Sequence, residues 1–243
     1  MDNPLIQHAV KNNFYLKSGY KSRKEPAYYY GTGENGISQP QVYVLAHYLG
    51  MKLGCKYVID IGCSTAIKLI QLYPDFRIIG IDYGENLQIC TNSYPYGTWI
   101  EHNLDRPQKL QIQDSILKDS IIICADVIEH LVNPAYLLWN LKKMMEFSPV
   151  CLLSTPERDI VRGMDEFGPP KNSCHVREWN LSELNHLFHS LEFNIKYTGL
   201  TVSVNWSDAR RTSLLVLGNN DPSDSRSAML DSSEVRANMD SII

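Results

Sequence analysis

Apolar positions along the chain fall into short blocks of two kinds. Between residues 41 and 53, Val42, Leu45, Ala46, Leu49 and Leu53 recur at three- and four-residue spacing, which predicts an amphipathic helix. The next block, Tyr57-Val58-Ile59-Asp60-Ile61, is short and nearly continuous and predicts a buried strand. The alternation then repeats: a helix over 65–72 ended by Pro74, a strand over 77–81, a helix over 84–91 and a strand over 98–101. A very apolar strand covers 120–125, Asn133-Pro134 opens a helix that runs to 146, and a fifth strand covers 150–154. Asn180 with Glu183 three residues on is a capping-box start for another helix, and strands over 193–197 and 213–217 close the pattern.

Strands that are apolar throughout, rather than alternating, call for burial on both faces. Strands separated by helices call for a parallel sheet covered on two sides. The chain should therefore fold as a doubly wound α/β protein with seven strands, mostly parallel, the last antiparallel. Three segments are expected: an arm or cap over 1–37, the α/β domain over 38–218, and a polar tail over 219–243, mobile or docked elsewhere. The arm is aromatic and basic, with Lys11, Lys17, Lys21, Arg23 and Lys24 interleaved with Phe14, Tyr15, Tyr20 and Tyr28 to Tyr30. It reads as a loop-rich edge or a lid over a substrate.

Composition narrows the function. The 243 residues are 44% hydrophobic and 21% charged, with a net charge of −4, which excludes bulk disorder and a surface built for phosphate neutralisation. No apolar run approaches a membrane span, and the start of the chain lacks the basic and apolar regions of a signal peptide, so a cytoplasmic location is expected. The six cysteines are scattered without a CxxC pair, as small buried hydrophobes would be.

Ligands of such folds bind at the carboxyl ends of the strands. The first strand ends Asp60-Ile61-Gly62-Cys63-Ser64-Thr65-Ala66, a glycine turn preceded by an acid. A carboxylate there would repel a pyrophosphate but suits a cationic ligand. The second strand ends in Asp82, placed to accept ribose hydroxyls, 22 residues after Asp60.

With these residues the region 39–218 resembles the class I S-adenosylmethionine-dependent methyltransferases. The resemblance implies that Asp60, Gly62, Cys63 and Ser64 form the donor loop. It implies further that Asp82 and Tyr83 meet the ribose side, and that Asn103 and Leu104, after His102, meet the adenine, with Ala125 alongside. Asn103 stands where the family more often has Asp, and Ser64 where a second glycine is usual.

The fourth strand is followed by Asp126, Glu129 and His130, which would share one face of a helical turn. Two uses fit: His130 as a general base oriented by a carboxylate, or a divalent ion such as magnesium or manganese held by mixed oxygen and nitrogen ligands. A distal His175-x-x-Glu178-Trp179 adds a fourth candidate. Together these resemble metal-dependent O-methyltransferases that modify the 3′-terminal ribose of small RNAs, and some quinone-pathway enzymes. The loop from Ser154 to His175 also resembles methyltransferases that accompany glycan-assembly genes. Arg158, Arg162 and Arg177 could grip the acceptor, with Tyr30 and its neighbours as an aromatic wall; ion pairing within the loop accounts for the arginines equally well.

The leading expectation is S-adenosylmethionine-dependent O-methylation of a saccharide or glycan hydroxyl, one of a vicinal diol, with His130 and His175 catalytic. RNA 3′ ends and small catechols or phenols are alternative acceptors. A nicotinamide oxidoreductase fits the fold but not Asp60, and a non-catalytic scaffold remains the reading outside enzymes.

Overall fold

The computed structural model describes residues 3–31, 38–204, 207–221 and 223–241. Seven strands form one sheet: β1 (Tyr57–Ile61), β2 (Arg77–Asp82), β3 (Thr98–Glu101), β4 (Ser120–Ala125), β5 (Val150–Pro156), β6 (Asn194–Val204) and β7 (Ser207–Gly218). Their order is β3-β2-β1-β4-β5-β7-β6. Neighbours pair in parallel except at β7, which runs antiparallel to both β5 and β6. The strand order reverses between β1 and β4, which opens a crevice beyond their carboxyl ends.

Side-chain alternation divides the core between the two faces. Ile59, Ile61, Ile122 and Cys124 point to one layer, with α1 (Pro4–Lys11), α5 (Ala135–Met144) and α7 (Leu181–Ser190). Val58, Ile121 and Ile123 point to the other, with α2 (Pro40–Lys52). Between these, α3 (Glu85–Ser93) follows β2, α4 (Asp114–Lys118) precedes β4 and α6 (Arg158–Arg162) follows β5. Five of the six cysteines are buried. Among the described residues no helix is long and apolar enough to cross a membrane.

The structure departs from the sequence reading in three places and decides between the two alternatives in a fourth, the tail. The arm is not all loop: Asn3 caps α1, its carboxamide oxygen accepting from the Leu5 and Ile6 amides, and α1 packs on α5 and α7. The run over 65–72 is helical only at Leu69–Leu72, a single 3-10 turn, because Ser64 (φ 51°) and Ala66 (φ 59°) hold left-handed backbone that interrupts any longer helix. The last two strands extend well beyond their apolar centres, since the added residues pair with each other across the hairpin. The tail docks: α8 (Ser225–Ala228) and α9 (Ser232–Ser241) follow β7, Val235 and Met239 are buried, and Glu234 pairs with Tyr48 and Lys52 of α2.

Candidate active site

A cavity of about 410 Å³ lies beyond the carboxyl ends of β1 to β5. Each strand contributes to its wall in turn: Gly62 to Thr65 after β1, Asp82 and Tyr83 at β2, His102 to Asp105 after β3, Ala125 to Val127 with Glu129 and His130 after β4, and Pro156 at the end of β5. This volume falls within the usual range for small-molecule sites.

The loop after β1 is shaped by close approach. Gly62 has φ +73°, and a Cβ on it would meet Val127 Cγ2 at 2.5 Å. The Gly62 and Cys63 amides both donate to the Ile81 carbonyl, at 2.8 and 3.1 Å, and the Ser64 amide donates to Asp82 Oδ2 at 2.7 Å. Asp82 Oδ1 accepts from the Tyr83 amide at 2.8 Å. Burial raises the Asp82 carboxyl to about 6 in spite of these bonds. Asp60 lies behind the cavity wall: it is 1% exposed, its Oδ2 accepts from the Tyr43 hydroxyl at 2.8 Å, and burial lifts it to about 7. On the cavity side, buried Ser64 Oγ and His102 Nε2 have no partner, so the wall offers polar atoms that a nucleoside could satisfy. Asn103 and Leu104 line the same wall, and Asn103 Oδ1 shapes its own turn by accepting from the Asp105 amide at 2.9 Å.

At the far wall, ligand atoms of Glu129, His130 and His175 lie within 4.8 Å of one another. Ile128–His130 is one 3-10 turn, which puts Glu129 into the interior. Glu129 Oε2 accepts from Thr155 Oγ1 at 2.8 Å, while Oε1 has no partner; burial, then Asp126, push its carboxyl well above the usual range. His130 Nδ1 faces the Cys174 carbonyl at 3.0 Å, so Nδ1 carries the proton and Nε2 keeps its lone pair. Burial, with His175 adding to it, lowers His130 to about 3. His175 Nδ1 faces Glu178 Oε1 at 2.6 Å, and its Nε2 accepts from Asn172 Nδ2 at 3.0 Å, a contact an ion would have to displace. Burial alone would raise Glu178, but hydrogen bonds from His175 and Arg162 lower it instead. An orphaned carboxylate oxygen beside two imidazole lone pairs is a donor set that fits a divalent cation. Asp126 is not part of this group: with φ 56° it turns away from the 3-10 turn, and its carboxylate accepts from Gln39 Nε2 at 3.0 Å.

None of the three arginines lines the cavity. Arg158 is fully buried and paired with Asp159 and Glu183. Arg162 meets Glu178 at 3.4 Å. Arg177 is buried with its guanidinium 5.0 Å from the Phe14 ring centre and donates to the Val132 carbonyl. Arg158 and Arg162 are thus held in acid–base pairs, while Arg177 has no acid partner among the described residues and its buried Nε and Nη1 have no hydrogen bond. Tyr30 lies outside the wall against Tyr28, while Tyr28, Tyr29 and Gly31 line it. The arm segment crosses the loop after β1 as a strap. The Tyr28 hydroxyl donates to the Tyr83 carbonyl at 2.7 Å, Asn86 Nδ2 to the Tyr29 carbonyl at 2.9 Å, and Thr65 Oγ1 to the Gly31 carbonyl at 3.1 Å.

The sequence reading missed several wall residues. Asn86, Asn172 and Lys68 line the cavity, and Thr155 and Glu178 hold Glu129 and His175 from behind. Only Glu178 carried a signal, in its three-residue spacing from His175.

Solved methyltransferase structures share this fold. The methyltransferase domain of bacterial Hen1 (CtHen1-C) matches with a TM-score of 0.54, 18% identity, and coverage of 74% of this chain and 97% of that one. This is the class I S-adenosylmethionine-dependent methyltransferase fold. Magnesium protoporphyrin IX methyltransferase from Synechocystis with bound S-adenosylhomocysteine matches at TM-score 0.52 and 15% identity, over 88% of this chain and 94% of that one. The plantazolicin methyltransferase BamL matches at 0.54 and 13%, over 78% and 88%. No known family model matches the chain. A curated protein of Mycolicibacterium smegmatis, described as a probable S-adenosylmethionine-dependent methyltransferase, is 29% identical over 145 residues, 58% of this chain. The chain spans about half the length of that relative, 53%.

Proposed function

We propose that the protein is an S-adenosylmethionine-dependent O-methyltransferase whose acceptor is a hydroxyl of a vicinal diol on a saccharide. The observation that carries this reading is the convergence of Glu129, His130 and His175 within 4.8 Å at the wall of a cavity whose opposite side is the donor loop. Asp82 would accept the ribose hydroxyls, and Ser64 Oγ and His102 Nε2 would take up the remaining polar edge of the nucleoside. Glu129, His130 and His175 would hold a divalent ion; such an ion lowers the pKa of a bound hydroxyl and orients it. With its only lone pair on that ion His130 is not the base; where no ion occupies Nε2, neutral His130 is instead the group placed to take the hydroxyl proton there. The Tyr28–Gly31 strap would exclude water from the transfer.

The lining favours a neutral acceptor over a polyanion. Asp82, Asp105, Asp126 and Glu129 face the cavity, against one lysine and no arginine among the described lining residues. An RNA 3′ end has the same diol, and the fold likeness to bacterial Hen1 keeps it as the second reading. The test is methyl transfer from radiolabelled S-adenosylmethionine, with manganese or magnesium, to neutral oligosaccharides and to short RNAs. Label on saccharide hydroxyls, absent when the neighbouring hydroxyl is removed, supports the proposal. Label on RNA alone moves it to the second reading. Donor binding with transfer to neither oxygen class sinks both.

A further inference from the structure

The cavity wall is acidic except at one point. Lys68 is the single lysine or arginine among its described lining residues. Its ammonium has no hydrogen bond or ion pair with the described residues and rests 4.9 Å above the Tyr43 ring centre. Of the nearby carboxylates that attract it, Asp126 accepts from Gln39 and Asp60 accepts from Tyr43 through Oδ2 while its buried Oδ1 has no partner, and neither is hydrogen-bonded to the lysine. A cation is thus held in place by a ring face and by the field of two carboxylates, with its donors left free.

Much of the neighbouring backbone is already occupied. The amides of Gly62, Cys63 and Ser64 are spent on the Ile81 carbonyl and Asp82, and the Ala66 amide on the Cys63 carbonyl. The segment that follows is a four-residue 3-10 turn starting just after Lys68, too short to offer an anion the N-terminus of a helix. An anionic group entering beside this loop therefore meets carboxylates on the other walls, with Lys68 the one lysine or arginine among the described lining residues to favour it.

Resting on the methyl-donor reading above, we propose that Lys68 anchors the carboxylate of the donor's amino-acid end and so selects donors that carry one. The methionyl group brings an ammonium and a carboxylate together. The acidic wall accommodates the ammonium and the sulfonium, and Lys68 takes the carboxylate through a charge-assisted hydrogen bond. Lys68 is a positioning residue in this role, remote from the transferred methyl.

Titration calorimetry of the full chain with S-adenosylmethionine and with its decarboxylated analogue tests this. In the native protein S-adenosylmethionine should bind more tightly than the analogue. In Lys68→Met the ratio of the two affinities should fall by about 10- to 100-fold, the worth of a hydrogen bond to a charged group, and Lys68→Arg should restore part of it. A ratio unchanged in Lys68→Met overturns the proposal, whether both affinities fall together or neither moves. If the native protein binds neither compound, the methyl-donor reading itself has failed. Native affinity for both, with the ratio unmoved by substitution, fails the lysine alone. Unchanged melting of Lys68→Met confirms that the comparison is between folded proteins.

Discussion

The Ser64 amide and the Asp82 carboxylate are joined across the tips of β1 and β2, N to Oδ2 at 2.7 Å. In the loop after β1, Ser64 takes a left-handed φ of 51°, and Asp82 pins it there. Asp82 therefore shapes the loop and faces the cavity with the same carboxylate. Burial brings that carboxyl to about 6, so its charge is present above that pH and lost as pH falls through it. Affinity for S-adenosylmethionine should be flat above about pH 7 and fall by up to about tenfold per unit below about pH 6. Asp82→Asn should bind about tenfold or more weakly and show no such slope. Calorimetry across this range decides it: a sloped profile in Asp82→Asn would remove Asp82 as the titrating group.

The second prediction concerns His175 and the acid behind it. Glu178 Oε1 sits 2.6 Å from His175 Nδ1 and fixes which nitrogen faces the cavity. Outer partners of this kind typically change metal affinity by about 10–100-fold. Glu129→Gln, His130→Ala and His175→Ala should each lose manganese binding, and Glu178→Gln should weaken it by that factor. All four should keep donor affinity within about twofold, a margin well under the tenfold that 1.4 kcal/mol represents. Manganese binding followed by electron paramagnetic resonance reads this directly. Retention of binding by Glu129→Gln would dissolve the proposed ion site and leave His130 as an unaided base.

The sheet was legible because its signal is local. Continuous apolar runs such as Ile121-Ile122-Ile123 occur where both faces are covered, and the glycine and acids at strand ends follow from chain direction. What escaped was set by distant contacts. Asp126 and Glu129 have helical spacing, yet the left-handed backbone at Asp126 splits them, and no one-dimensional period reports that. Arg158 looks like a free loop cation until Glu183, 25 residues on, is brought beside it. Lys68 falls within the stretch whose pattern predicts a helix over 65–72; only Leu69–Leu72 forms a turn, and the lysine lines the cavity. The polar tail docks through a few apolar residues, Val235 and Met239 among them, too sparse to read as a helix face.

A third prediction addresses the strap. A side chain at Gly31 would collide with Ser64 Oγ and approach Thr65 Oγ1 to 3.2 Å. Gly31→Ala should lift the strap from the donor loop while leaving the core intact. Donor dissociation should quicken by about tenfold with little change in association, as when an enclosing contact is lost. Amide exchange over 26–31 should rise in parallel, and the melting temperature should hold. If dissociation is unchanged while exchange rises, the strap does not retain the donor.

Asp60 yields a prediction about stability rather than binding. A carboxyl moved by burial from 3.8 to about 7 keeps its proton in the folded protein over a range where the unfolded chain has lost it. The folded state then binds more protons than the unfolded one, so stability falls as pH rises through that window and levels off above about 7. That displacement corresponds to about 4 kcal/mol at full extent. Asn has nearly the shape of Asp, can still accept from the Tyr43 hydroxyl, and carries no charge to bury. Asp60→Asn should thus be more stable than the native protein at about pH 8, by up to about 4 kcal/mol beyond any difference at about pH 4. Urea unfolding at the two pH values measures the gap. A gap near zero would mean that Asp60 is ionised and compensated in the folded state, with Lys68 as the nearby cation to supply that compensation, and Lys68→Met should then reopen it.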